Sequence, residues 1–198
     1  MGADGTPAPA KGSDSYVIGF DYGTGACRAV LMRPDSPQEL ALASADYPSG
    51  HEGVISDPAD PHLARQNPAD YLAGLTACVA QILSAARTLP GFAPDKIRAL
   101  AFATTGSTVI PVDAAFVPLS ASETFADNPN ALAWLWKDHT SAAEAQRLTD
   151  VLQAERPHMI ERCGGVYSSE WTPPQRSIMC GRSACKTSVR RCASAALV

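Results

Sequence analysis

A carboxylate, a hydroxyl and two glycines crowd the stretch Asp21-Tyr22-Gly23-Thr24-Gly25. A Gly-rich turn supplies positive-φ positions and bare backbone N–H groups, a nest in which a phosphate can sit. Ionised Asp21 only accepts hydrogen bonds, so beside phosphates its natural partner is a hydrated Mg2+, held through water. Thr24 adds a hydroxyl able to donate to a phosphate oxygen. The same residues equally suit a plain hairpin whose Asp and Thr satisfy turn backbone. Two other stretches carry usable chemistry. Thr104-Thr105-Gly106-Ser107-Thr108 is a small-residue turn following an apolar run, and open α/β sheets bind ligands at the carboxyl ends of strands. Trp136-Lys137-Asp138 offers an apolar ring with a donor and an acceptor for hydroxyls; the plain alternative is a core tryptophan beside a surface ion pair.

The elements that must position these groups can be read in order. Tyr16–Phe20 and Ala26–Met32 flank the glycine turn as two strands of a hairpin. Glu39–Tyr47 alternates as a third, antiparallel strand. Residues 48–68, punctuated by Pro, Gly and Asp, read as a long loop. Asn67 and Pro68 then open a helix, with Tyr71, Leu72, Leu75, Val79, Ile82 and Leu83 as its apolar stripe and Pro90-Gly91 as its stop. Lys96–Thr104 reads as a buried central strand. Val109–Val112 and Phe116–Leu119 read as a second hairpin. Asn128-Pro129 caps a short helix, and Ser141-Ala142-Ala143-Glu144 is a capping box for a helix reaching about Gln153. Strands, a helix, a strand and more helices make the fold class α/β.

The chain has 198 residues, 45% of them apolar and 18% charged, as expected for a globular domain with a real core. A net charge of −4 gives no electrostatic case for nucleic acid. No 18-residue apolar run stands out, so no membrane span is expected. Residues 1–15 lack an apolar signal core and read as a flexible lead-in. Cys27, Cys78 and Cys163 read as buried reduced thiols. Cys180, Cys185 and Cys192 lack zinc-ligand spacing. A cytoplasmic, reducing setting is the default expectation.

With these pieces in order, the chain resembles the opening part of the ribulokinases, within the FGGY family of carbohydrate kinases. Four stretches carry the resemblance: Gly19-Phe20-Asp21-Tyr22-Gly23-Thr24, Thr104–Thr108, Asn128-Pro129-Asn130 with Leu135–Thr140, and Gly164–Trp171. The resemblance implies the ribonuclease-H-like fold of the actin/Hsp70/hexokinase ATPases, with residues 16–171 forming part of the N-terminal domain. It implies ATP and Mg2+ as cofactor and ion, and phosphorylation of ribulose (L-ribulose to L-ribulose 5-phosphate, in arabinose catabolism) or a related ketopentose. Asp21, Gly23 and Thr24 would face the phosphates and Mg2+; Thr104, Thr105, Gly106, Ser107, Trp136, Lys137 and Asp138 would line the sugar pocket. His139 suits a general base by its pKa, but the family does not use it so, and it is expected to pack or hydrogen-bond. Glu170 and Trp171 are expected to support the site from behind.

The resemblance stops at Trp171. Thr172-Pro173-Pro174 cannot sit inside a helix, and residues 172–198 hold five basic residues, no acidic ones and no period. They read as an unpatterned basic tail or as out-of-frame translation. In the family the catalytic aspartate lies beyond this point, so the chain alone is expected to be inactive. A non-catalytic interaction module is the alternative expectation. Were the chain active, Asp138 is the carboxylate to test as base.

Overall fold

The computed structural model describes residues 14–171; the tail at 172–198 and nearly all of the lead-in lie outside the described residues. Two compact units share these residues. The first holds the chain up to Gly53 and Ala69–Thr105; the second holds Val54–Pro68 and the chain from Gly106 onward.

In the first unit, alternation makes the sheet. β1 (Tyr16–Tyr22) and β2 (Ala26–Met32) pair antiparallel, and β3 (Glu39–Asp46) adds antiparallel to β2. Tyr16, Ile18 and Phe20 of β1 and Cys27, Ala29 and Leu31 of β2 turn to one face and are buried. α1 (Pro68–Ala86) covers that face, opening at the proline as the sequence predicts. Its fully buried line runs through Gly74, Cys78, Ile82 and Ala86; of the expected stripe Ile82 is in the core and Tyr71, Leu75 and Val79 pack against it, while Leu72 is 69% exposed. That line reflects the closeness of helix and sheet: a Cβ at Gly74 would lie 2.8 Å from the Cys27 Cβ. Cys78 donates its thiol to the Cys27 carbonyl at 3.2 Å. α1 also meets the length and hydropathy of a membrane span, which the sequence reading did not register. Here its inner residues are core residues of the sheet domain, so the apolar content has a local use.

After α1 the chain returns as β6 (Ile97–Thr104), parallel to β1, giving the order β3-β2-β1-β6. The expected buried central strand is instead an edge strand among the described residues, with Leu100 and Phe102 54% and 55% exposed. Pairing with β1 puts these two on the α1 side of the sheet, where Phe102 stacks on Phe20 at 5.2 Å and on Tyr22 at 6.4 Å but stays half exposed. An apolar strand is buried only when neighbours cover it, and sequence does not supply the neighbours.

The second unit corrects the expected long loop. Residues 54–68 include β4 (Ile55–Asp57) and β5 (Asp60–Gln66), an antiparallel pair, and β5 also pairs with β7 (Ala133–Trp134). β5 was illegible because its buried end is Ala64-Arg65-Gln66, polar where a strand pattern wants apolar residues. The 109–119 hairpin forms as a short one, with a Val112↔Pro118 bridge and the Leu119 and Asp113 N–H groups donating to the Pro111 and Val117 carbonyls at 2.9 Å; Pro111 and Pro118 cannot donate to extend it into a ladder. Asn128 caps a single 3-10 turn by accepting from Asn130 N–H at 3.0 Å. α2 (Ala142–Glu155) forms, but without the capping-box bond: Ser141 Oγ donates to the Ser169 carbonyl at 2.8 Å, and Glu144 pairs with Arg147. α3 (Pro157–Glu161) follows.

Candidate functional site

The turn joining β1 to β2 is closed by the Gly23 N–H donating to the Ala26 carbonyl at 2.9 Å. That donor is therefore spent within the turn. Neither Gly23 nor Gly25 has positive φ, contrary to the sequence expectation. Close approach favours glycine instead: a Cβ on Gly25 would lie 3.0 Å from the Glu52 carbonyl oxygen, and one on Gly23 3.3 Å from the Ala26 carbonyl oxygen. Asp21 stands directly across from Arg28 in the ladder, with 3.5 Å between Oδ2 and Nη1. Both side chains are exposed. Arg28 was overlooked in the sequence, although fixing the turn at residues 23–25 places it opposite Asp21. A single exposed carboxylate suits Mg2+, which keeps most of its water and takes few protein ligands. An open groove of about 640 Å3 extends from this pair over the sheet face away from α1, past Gly19, Val30, Leu42 and Ser44.

Beneath the turn the core is mostly apolar. Burial, and then the neighbouring Cys78, pushes the Cys27 thiol up to about 12. Burial also pushes the Tyr71 hydroxyl up to about 12, with Asp70 adding to it. Asp70 is itself tied to Ser49, accepting from its N–H and its hydroxyl at 3.1 and 3.0 Å.

β6 brings a second predicted stretch beside the first. Thr104 pairs with Tyr22, and the Thr105 N–H donates to the Tyr22 carbonyl at 3.1 Å. Asp21, Gly23 and Thr24 thus share one end of the first unit's sheet with Thr104 and Thr105. Gly106 and Ser107 belong to the second unit. The positive φ in this turn, 54°, falls on Ser107.

In the second unit Trp136 and Lys137 are both exposed, and Lys137 Nζ lies 5.3 Å from the Trp136 ring centroid. Asp138 is buried. Its carboxylate accepts from the Ala64 N–H at 2.8 Å and the Thr140 hydroxyl at 2.6 Å, and it pairs with Arg65. Arg65, also unremarked in the sequence because its strand was unseen, is the largest fully buried side chain among the described residues. Burial pulls its guanidinium down to about 10, opposed by the charge of Asp60. His139 hydrogen-bonds, its Nδ1 2.7 Å from Ser169 Oγ. Trp171 packs edge-on against Tyr167 at 5.5 Å. Among the described residues no group of three or more His, Cys, Asp or Glu is placed to hold a metal.

No family model matches the chain. The chain is 35% identical to a ribulokinase of Vibrio parahaemolyticus over 157 residues, 79% of this chain and 27% of that protein. It is 33% identical over 163 residues to a ribulokinase of Geobacillus thermodenitrificans, covering 28% of it. A ribulokinase of Mycolicibacterium smegmatis is 31% identical over 168 residues. Among solved structures, xylulose kinase from Bifidobacterium adolescentis aligns with TM-score 0.53 at 16% identity, over 79% of this chain and 27% of that one. Gluconate kinase from Lactobacillus acidophilus aligns with TM-score 0.51 at 20% identity, over 75% and 24%. These last likenesses bear on the fold alone. The chain is thus a sequence relative of the ribulokinases with the fold of the FGGY sugar kinases, and it spans little more than a quarter of the length of the curated relatives it matches.

Proposed function

We propose that this chain carries the phosphate turn and part of the sugar site of an ATP-dependent ribulose kinase. The observation that carries the reading is the β1–β6 pairing, which sets the Asp21–Thr24 turn and Thr104-Thr105 at one sheet end. Asp21 would hold hydrated Mg2+; Gly23, its N–H kept within the turn, and Thr24 would face the ATP phosphates, with Arg28 as a neighbouring cation. Mg2+ would offset the charge that builds up on the transferred phosphoryl group. Thr104, Thr105, Gly106 and Ser107 are assigned to ribulose on the resemblance. Trp136 and Lys137 are assigned to it also because they are exposed; Asp138, buried against Arg65, serves that turn from beneath. No base is assigned among residues 14–171. A cytoplasmic setting goes with this reading, and Cys27, Cys78 and Cys163 are free thiols.

Ribulose binding to the full chain tests it. Trp136→Ala should weaken binding by roughly 1–3 kcal/mol, the scale of one lost apolar face. Unchanged affinity would remove Trp136 from the sugar site. The exposed Leu100 and Phe102 favour a second reading, an interaction module that uses this apolar strand. Concentration-dependent association in sedimentation, abolished by Leu100→Ser with Phe102→Ser and unaffected by ribulose, would favour the module.

A further inference from the structure

The Asp138 N–H donates to the Leu135 carbonyl at 2.8 Å, so Trp136 and Lys137 occupy the two central positions of a closed turn. Both ends of that turn are tied to β5. The Leu135 N–H donates to the Ala64 carbonyl at 3.1 Å, and the Ala64 N–H donates to Asp138 Oδ2 at 2.8 Å. Arg65, the next residue on β5, reaches the chain on either side of the turn. Its Nε donates to the Pro129 carbonyl at 3.2 Å, and its Nη2 lies 3.3 Å from Asn130 Oδ1 and 3.4 Å from Thr140 Oγ1. Its Nη1 pairs with Asp138, and its guanidinium carbon lies 5.2 Å from the Trp134 ring centroid. The Trp134 indole N–H in turn donates to the Asn130 carbonyl at 3.1 Å.

One planar fork therefore fixes residues 129, 130, 134, 138 and 140 together, on both sides of the exposed Trp136 and Lys137. A lysine is a single point charge and cannot make these divergent bonds. We propose that Arg65 is a positioning residue for the Trp136–Lys137 turn, holding the two side chains in the orientation that receives the ketopentose. This rests on the sugar role proposed above for Trp136 and Lys137.

The test uses the full chain, the indole N–H resonance of Trp136 (assigned with Trp136→Phe), and ribulose as probe. Arg65→Met with Asp138→Asn removes both charges while leaving an amide oxygen at position 138 to accept from the Ala64 N–H, and buried pairs often tolerate neutral replacement without loss of stability. Positioning predicts a near-native unfolding midpoint, a shifted or split Trp136 resonance, and ribulose affinity lower by about tenfold or more. A purely structural pair predicts that stability, resonance and affinity all stay native, and that result overturns the proposal. Should the double variant not fold, Arg65→Lys keeps Asp138 paired and carries the same test: a native Trp136 resonance in it overturns the proposal, a displaced one supports it. If ribulose leaves the wild-type Trp136 resonance unmoved, the sugar assignment fails, and the resonance in the variants alone decides whether Arg65 positions the turn.

Discussion

Two arginine–aspartate pairs among the described residues stand in opposite surroundings. Arg28 and Asp21 face each other at 3.5 Å with side chains 61% and 55% exposed; Arg65 and Asp138 pair with side chains 1% and 5% exposed. In water the first pair gains little, because solvent screens it and two mobile side chains must be held. Its partners are free to turn to a ligand. The second pair has given up its hydration, so each member depends on the other and on neutral donors and acceptors nearby. The exposed pair is suited to binding and the buried one to holding shape.

That contrast breaks first at Arg65. Arg65→Met alone should cost on the order of 3–5 kcal/mol, since it strands the Asp138 charge in the interior. Urea unfolding would show it, and a loss below about 1 kcal/mol would mean that water reaches Asp138. Gly74→Val comes next. The first unit draws its stability from the contact of α1 with the sheet, not from its exposed ion pair, and a Cβ 2.8 Å from that of Cys27 forces the two apart. A cost of about 1–3 kcal/mol is expected, as for other overpacked cores.

The third expectation concerns alkali. Cys27 rises from 9.0 to about 12 and Tyr71 from 10.0 to about 12 on folding. The unfolded chain releases these protons first, so their contribution is intact below about pH 9 and is lost as pH climbs toward 12. The urea midpoint should fall between about pH 8 and pH 11, and Cys27→Ala should flatten the fall. A midpoint independent of pH over that range would contradict a dry core beneath the β1–β2 turn. The smallest effect belongs to Arg28→Ala, within about 1 kcal/mol of wild type.

These cases also separate what the sequence displays from what it hides. The hairpin around Gly23-Thr24-Gly25 is legible because strand alternation and turn glycines are local signals. So is the start of α1 at Pro68, where a cap and a fixed φ act within a few residues. Arg65 is hidden because its value comes from Pro129, Asn130, Trp134, Asp138 and Thr140, all more than sixty positions away. Asp138 looks like a solvent-facing acceptor until Ala64, Arg65 and Thr140 are seen to occupy it. β6 errs the other way: its apolar run announces a buried strand, yet burial is conferred by neighbours that residues 14–171 do not supply. Gly74 shows that a helix can approach a sheet most closely at its smallest residue, which a count of large apolar side chains passes over.

The exposed pair decides the account most directly. Calorimetric titration of ATP into the full chain, with and without Mg2+, should show Mg2+-dependent binding in the wild type. Asp21→Asn should lose about tenfold or more of that affinity, roughly 1.4 kcal/mol, with no change in unfolding midpoint. Equal Mg2+-dependent affinity in the two proteins, or none in the wild type, would contradict the assignment of the Asp21–Thr24 turn to the nucleotide phosphates.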